Sequence, residues 1–159
     1  MKNVCNYDAM DDDKMAKKID GTVSFYLRSK NGADVTETKY EAAATLYKKD
    51  QKRFLFFEES SMEDDSVTKC RMEFDEETIR IRRDGHLIMD QQYKIHKEIQ
   101  GYFKTPFGEL PTRVKTHRYK LLQESEHRLV IGLAYELFIS EDNAGKYDLK
   151  VQFDKEAAQ

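Results

Sequence analysis

Cysteine is scarce in this chain of 159 residues: Cys5 and Cys70 are the only two, too few for a disulfide framework. No Cys-x-x-Cys pair occurs. His86, His96, His117 and His127 form neither a His-x-His nor a His-x3-His pair, so the usual metal-binding spacings are missing. The seven glycines are scattered and build no G-x-x-x-x-G-K-[ST] phosphate loop, and there is no G-x-S-x-G elbow. Glu58 and Glu59 are neighbours that a strand would point to opposite faces, which removes them as a paired acid and base. The sequence therefore assigns no catalytic residue, no metal ligand and no cofactor.

Long apolar runs are also lacking. The longest, Leu129 to Ile139, is interrupted by Glu136 and falls far short of the roughly 20 residues that cross a bilayer as a helix. Asp11, Asp12 and Asp13 stand where a secretory signal would carry its apolar segment, so the cytoplasm is the expected compartment. With 27 basic and 30 acidic side chains the formal charge is -3, which gives no overall attraction to nucleic acid or anionic membrane, although a local basic face remains compatible with it.

What the chain does have is alternation. Its length suits one domain in which roughly 70% of the unfolded surface is buried. Residues 1–20 carry no sustained apolar period and read as an N-terminal extension, with Met1 to Lys14 expected to be dispensable for folding; the domain spans 21–155, and 156–159 form a tail. From Gly21 onward Val23, Phe25 and Leu27 share one face, followed by an Asn31-Gly32 turn. The same period of two recurs at Thr68, Cys70, Met72 and Phe74, at Ile79 and Ile81 before Asp84-Gly85, and at Leu129 to Ile139. After Asn143 to Gly145 it runs through Tyr147, Leu149, Val151 and Phe153. Val35 to Lys49 is the ambiguous stretch. Glu41-Ala42-Ala43-Ala44 has helical propensity, but Tyr40, Ala42, Ala44 and Leu46 alternate, and strand is the reading adopted. Thr105-Pro106-Phe107-Gly108 places proline and glycine where a type I turn takes them, and Pro111 must sit at an edge or bulge because it donates no ladder hydrogen bond. Ten or so short strands with hairpin punctuation predict an all-β fold, a single antiparallel barrel or sandwich; closure best removes the edges.

The stretch GYFKTPFGEL, the long basic strand after it, and LAYELFI followed by GKYDLKV resemble the YwiB-like bacterial family of unknown function. The TLYKK and RFLFFEES segments fit it too, so the resemblance covers about Gly21 to Phe153 and leaves out the N-terminal extension. It implies a closed, calycin-like (lipocalin-like) barrel of about 8–10 strands and no activity. Such barrels hold small apolar ligands in their mouths, so a binding role follows by architectural analogy only.

Two faces of the strand after the turn offer candidate sites. Val114, Thr116 and Arg118 share one parity, which would bring a guanidinium inside to meet an anionic head group, with Tyr135 and Phe103 in the apolar lining. Alternatively, a bulge near Arg118 turns it to solvent and lets Tyr119 and Leu121 take over the core face. The opposite parity gathers Arg113, Lys115 and His117 into a basic surface patch, which Arg80 and Arg82 would extend if their strand lay alongside. A single-strand nucleic-acid platform needs several exposed aromatics along such a patch, and most aromatics here alternate as core. The expectation is a non-enzymatic binder of a small apolar or amphipathic anionic ligand. Its rival is a filled barrel that recruits a protein partner, perhaps a second copy of itself, through a strand edge or surface patch.

Overall fold

The alternation read along the chain becomes the two faces of a curved wall. The computed structural model describes residues 17–60 and 65–156. Within them run β1 (Lys17–Asn31), β2 (Asp34–Lys49), β3 (Lys52–Ser60), β4 (Val67–Phe74), β5 (Thr78–Asp84), β6 (Ile88–Lys94), β7 (Glu98–Thr105), β8 (Gly108–Gln123), β9 (Arg128–Ile139) and β10 (Asp142–Lys155). Each strand is antiparallel to the next, and β1 pairs with β10 from Gly21↔Lys155 to Lys30↔Lys146, so the sheet closes into one barrel. The all-β, calycin-like expectation holds, with ten strands at the upper end of the expected range.

The ambiguous stretch is strand: Tyr40 to Lys49 lie within β2, and Ala44 and Leu46 are buried toward the interior. Packing on a closed wall overrides the local helical preference of the alanines. β1 begins at Lys17, earlier than Gly21, because Lys17 to Asp20 pair with Thr45 to Lys48 of the long second strand. The rest of the N-terminal extension, residues 1–16, lies outside the described residues, as do 61–64 of the acidic connection and 157–159 of the tail.

Turn chemistry follows the sequence closely at Gly32, whose φ is +65°, and at Thr105–Gly108, where Thr105 Oγ1 accepts from the Phe107 amide at 3.1 Å. It departs at the last hairpin. The turn is Ser140-Glu141, both with positive φ, whereas Asn143 to Gly145 form a bulge inside β10: Asn143 Oδ1 accepts from the Gly145 amide at 2.7 Å, and Gly145 has φ +114°. Pro111 sits just beyond Thr112↔Ile139, the end pair of β8 and β9, and its carbonyl accepts from the Ser140 amide. Its amide position therefore faces the end of the ladder, where a missing donor costs least.

One end of the barrel is plugged. Leu55, Phe74, Ile79 and Ile131 meet there, each at most 1% exposed, and the Tyr119 hydroxyl donates to the Asp75 carbonyl at 2.6 Å across the floor. The other end carries the β1–β2, β5–β6, β7–β8 and β9–β10 turns, and toward it the interior is less completely filled.

Candidate functional site

Between the plug and the turns lies an interior cavity of about 170 Å³. Its two walls differ in character. β9, β10, β1 and β2 supply stacked aromatics: Tyr135 and Tyr147 lie parallel with centroids 5.3 Å apart, and Phe25 and Tyr40 stack at 4.7 Å. The facing wall, from β4 to β7, is sulfur-rich and adaptable, with Cys70, Met72, Met89 and Phe103 among its members.

Polar groups enter this space at few points. Arg83 follows Ile79 and Ile81 on the inward parity of β5, and its guanidinium pairs with the Glu59 carboxylate, which follows Leu55 and Phe57 on the inward parity of β3. Arg83 Nε and the Tyr40 hydroxyl are buried without hydrogen-bond partners. Cys70 stands directly opposite Arg83 in the β4–β5 register; burial pushes its thiol up to about 11, so it is a neutral thiol at physiological pH. Burial likewise raises the Tyr40, Tyr93 and Tyr135 hydroxyls far above their ordinary range, the Tyr93 and Tyr135 rings meeting with centroids 4.8 Å apart. The Cys70 thiol and these three hydroxyls are therefore held in their neutral forms at neutral pH.

Gln91 is the most fully engaged polar residue of the interior. It is 2% exposed, donates to the carbonyls of Gln92 and Ile99 at 3.0 Å each, and accepts from Thr112 Oγ1 at 2.7 Å. The β6–β7 ladder holds only the pairs from Ile88↔Lys104 to Asp90↔Tyr102, and the Gln91 side chain continues the connection where that ladder stops.

The residues singled out in the sequence separate on this wall. Phe103 and Tyr135 line the cavity. Thr116 points inward at 2% exposure with its hydroxyl unpartnered, but it is not part of the lining. Arg118 does not enter the barrel: the register of β8 against β9 shifts between Thr116 and Arg118, His117 is the extra residue, and Arg118 emerges on the outer face 3.2 Å from Asp148. Tyr119 takes the inward position instead and is buried. Arg113, Lys115 and His117 do face outward, yet Arg113 is already held by Glu98 at 2.6 Å and Glu141 at 3.2 Å and lies over the Phe138 ring. Arg80 and Arg82 do not extend that patch, since β6 and β7 stand between β5 and β8. Among the described residues no group of three or more His, Cys, Asp or Glu side chains gathers as a metal site, and no helix is long and apolar enough to cross a membrane.

Arg83, which does reach the cavity, was legible in its parity with Ile79 and Ile81. It was masked by the adjacent Arg82 and by the hairpin signal that follows at once. The model of the domain of unknown function DUF1934 matches residues 23–151. The chain belongs to this family. The DUF1934 barrel also superposes on the crystal structure of the ywiB protein from Bacillus subtilis with a TM-score of 0.78. That match covers 90% of this chain and 96% of the other at 17% identity, a likeness that speaks for the fold alone. No curated protein matches the chain. The resemblance drawn from the turn and strand motifs is thus shown, and the DUF1934 barrel shares a fold with ywiB without an activity attached to it.

Proposed function

We propose that this barrel is a non-enzymatic binder of a small, flat, largely apolar molecule carrying one hydrogen-bonding head. The observation that supports it is the cavity itself: about 170 Å³, aromatic on one wall and thioether-rich on the other, with unpartnered Arg83 Nε and Tyr40 Oη among its lining residues. An apolar cavity of about 150 Å³ accepts benzene, so the occupant has on the order of six to nine heavy atoms. A medium-chain fatty acid is too large. The charge of Arg83 is already balanced by Glu59, and the Arg118 anchor expected for an anion stands outside, so a neutral acceptor or hydroxyl suits the head better than a carboxylate. The rival, recruitment of a partner by a strand edge or a surface patch, finds less support in a closed barrel, where the edge left one-sided is Asp34 to Ala43 of β2, paired with β1 but not with β3.

Melting temperatures with indole, phenol, benzoate and toluene test this reading. A ligand at about 100 times its dissociation constant adds roughly 2.7 kcal/mol, or about 5–10 °C for a chain of this size. Phenol, which can accept from Arg83 Nε, is expected to outperform indole, whose N–H only donates, as well as benzoate and toluene, and Arg83→Met or Tyr40→Phe to erase the preference for phenol over toluene. No shift with any of the four, or an unchanged preference in both variants, overturns the proposal.

A further inference from the structure

Outward positions on a small closed barrel are ordinarily polar, but the outside of β2 and β3 carries Tyr47, Phe54 and Phe56. Tyr47 is paired directly with Phe54 and meets Phe56 edge-on at 5.5 Å. All three are half-buried. Beside this cluster the next two strands turn arginines outward. Phe56 is opposite Arg71, Arg71 is opposite Arg82, and Arg80 lies one outward position from Arg82 on β5.

This cationic cluster is under-neutralised. Asp90 accepts from Arg80 at 2.9 and 2.7 Å and must also serve Arg82, whose Nε is 3.6 Å away, buried and without a hydrogen bond. Arg71 has no ion-pair partner among the described residues, and the nearby Glu73 is occupied by Lys52 at 2.9 Å. Arg80 and Arg82 thus share Asp90, with Glu73 opposite Arg80, while Arg71 is in no ion pair among the described residues, on a chain whose overall charge is -3. Like charges directly opposite one another on adjacent strands repel, and an anion laid across Arg71 and Arg82 relieves that repulsion.

We infer that the outer face of β3, β4 and β5 binds single-stranded nucleic acid, with phosphates on Arg71 and Arg82 and bases on the Phe54–Phe56 side. Neighbouring strands lie about 4.8 Å apart, so Phe56, Arg71 and Arg82 make a row about 10 Å long, the reach of one to two nucleotides. The combination of aromatics and arginines that the Arg113, Lys115 and His117 face lacks is present here. An acidic peptide would answer the charge but would leave the aromatic cluster unused.

Fluorescence anisotropy with labelled oligo(dT) and oligo(U) of about 12 nucleotides, over a salt series, tests the full chain. Binding is expected to weaken with salt by about 0.7 log unit per log unit for each phosphate contacted. Arg71→Gln with Arg82→Gln should weaken it at least tenfold and flatten that slope by about 1.4. Arg71→Lys with Arg82→Lys should keep the slope, and Phe56→Leu should cost affinity at unchanged slope; melting curves confirm that each variant is folded. Lys146→Gln with Lys150→Gln, across the barrel on β10, serves as the control and should change nothing. The inference is overturned if no oligonucleotide binds at low salt, if the Gln pair and the control behave alike, or if polyglutamate of equal length binds as tightly.

Discussion

Replacing Gln91 by leucine tests how the barrel is kept closed where its backbone ladder is short. The side chain is 2% exposed and satisfies the carbonyls of Gln92 and Ile99 together with the hydroxyl of Thr112, itself 3% exposed. Leucine fills a similar volume, so the loss is almost wholly that of three hydrogen bonds whose partners stay behind. A buried polar group left unpaired costs about 1–3 kcal/mol, and taking about 1 kcal/mol for each partner gives about 3 kcal/mol for Gln91→Leu. Thr112→Val strands only Gln91 Oε1 and is expected to cost about 1 kcal/mol. The double variant should then cost about 2 rather than 4 kcal/mol, because once the glutamine is gone the threonine hydroxyl is a liability that valine removes. Urea denaturation followed by far-UV circular dichroism reads these differences as shifts in midpoint at constant slope. Additivity of the two substitutions to within about 0.5 kcal/mol would refute the coupling, and a single-variant loss below about 1 kcal/mol would show that Gln91 does not hold β6 to β7 and β8.

Two further outcomes follow from buried hydroxyl and thiol groups. Burial holds the Cys70 thiol at about 11, above the 9.0 of an unburied thiol; its share of stability is complete below pH 9 and lost as pH rises through 11, on the order of 2 kcal/mol. The urea midpoint should therefore fall between pH 8 and pH 10.5, and fall less in Cys70→Ala; equal slopes in both proteins would contradict this. Tyr119→Phe removes the donor to the Asp75 carbonyl and is expected to lower the melting temperature by about 2–4 °C, the equivalent of about 1 kcal/mol, with the ligand response of the distant cavity unchanged.

The period of two was enough to reach the barrel, because a closed wall demands strict alternation and supplies a buried side for every strand. It was enough for β2 as well, where Tyr40, Ala42, Ala44 and Leu46 kept their parity against a helical composition. Where the count slips, alternation is a less direct guide. The bulges at His117 and at Asn143–Gly145 each add a residue to one strand only; the first is signalled by the change of apolar parity from Val114 and Thr116 to Tyr119 and Leu121, the bulge weighed for Arg118, whereas the second read as a turn. Phe103 and Tyr135 line the cavity, each on a strand in which no slip precedes it. Arg83 and Glu59 were visible by parity but belong to β5 and β3, and only the order of strands around the ring brings them together.

The extra residue at His117 makes β8 a strand with two reading frames. Upstream of it Thr112, Val114 and Thr116 face the lumen; downstream the frame has moved by one and Tyr119 does. Deleting His117 would heal the bulge and leave a regular strand, with Arg118 still outside and Tyr119 still inward and linked to Asp75, whereas straightening the strand with His117 kept would carry Arg118 inward. A one-codon deletion there would therefore leave the lumen's lining as it is, while a deletion between Thr112 and Thr116 would not. In a relative as distant as 17% identity, a gap between positions 116 and 118 therefore marks a barrel that has lost the bulge and kept the contents.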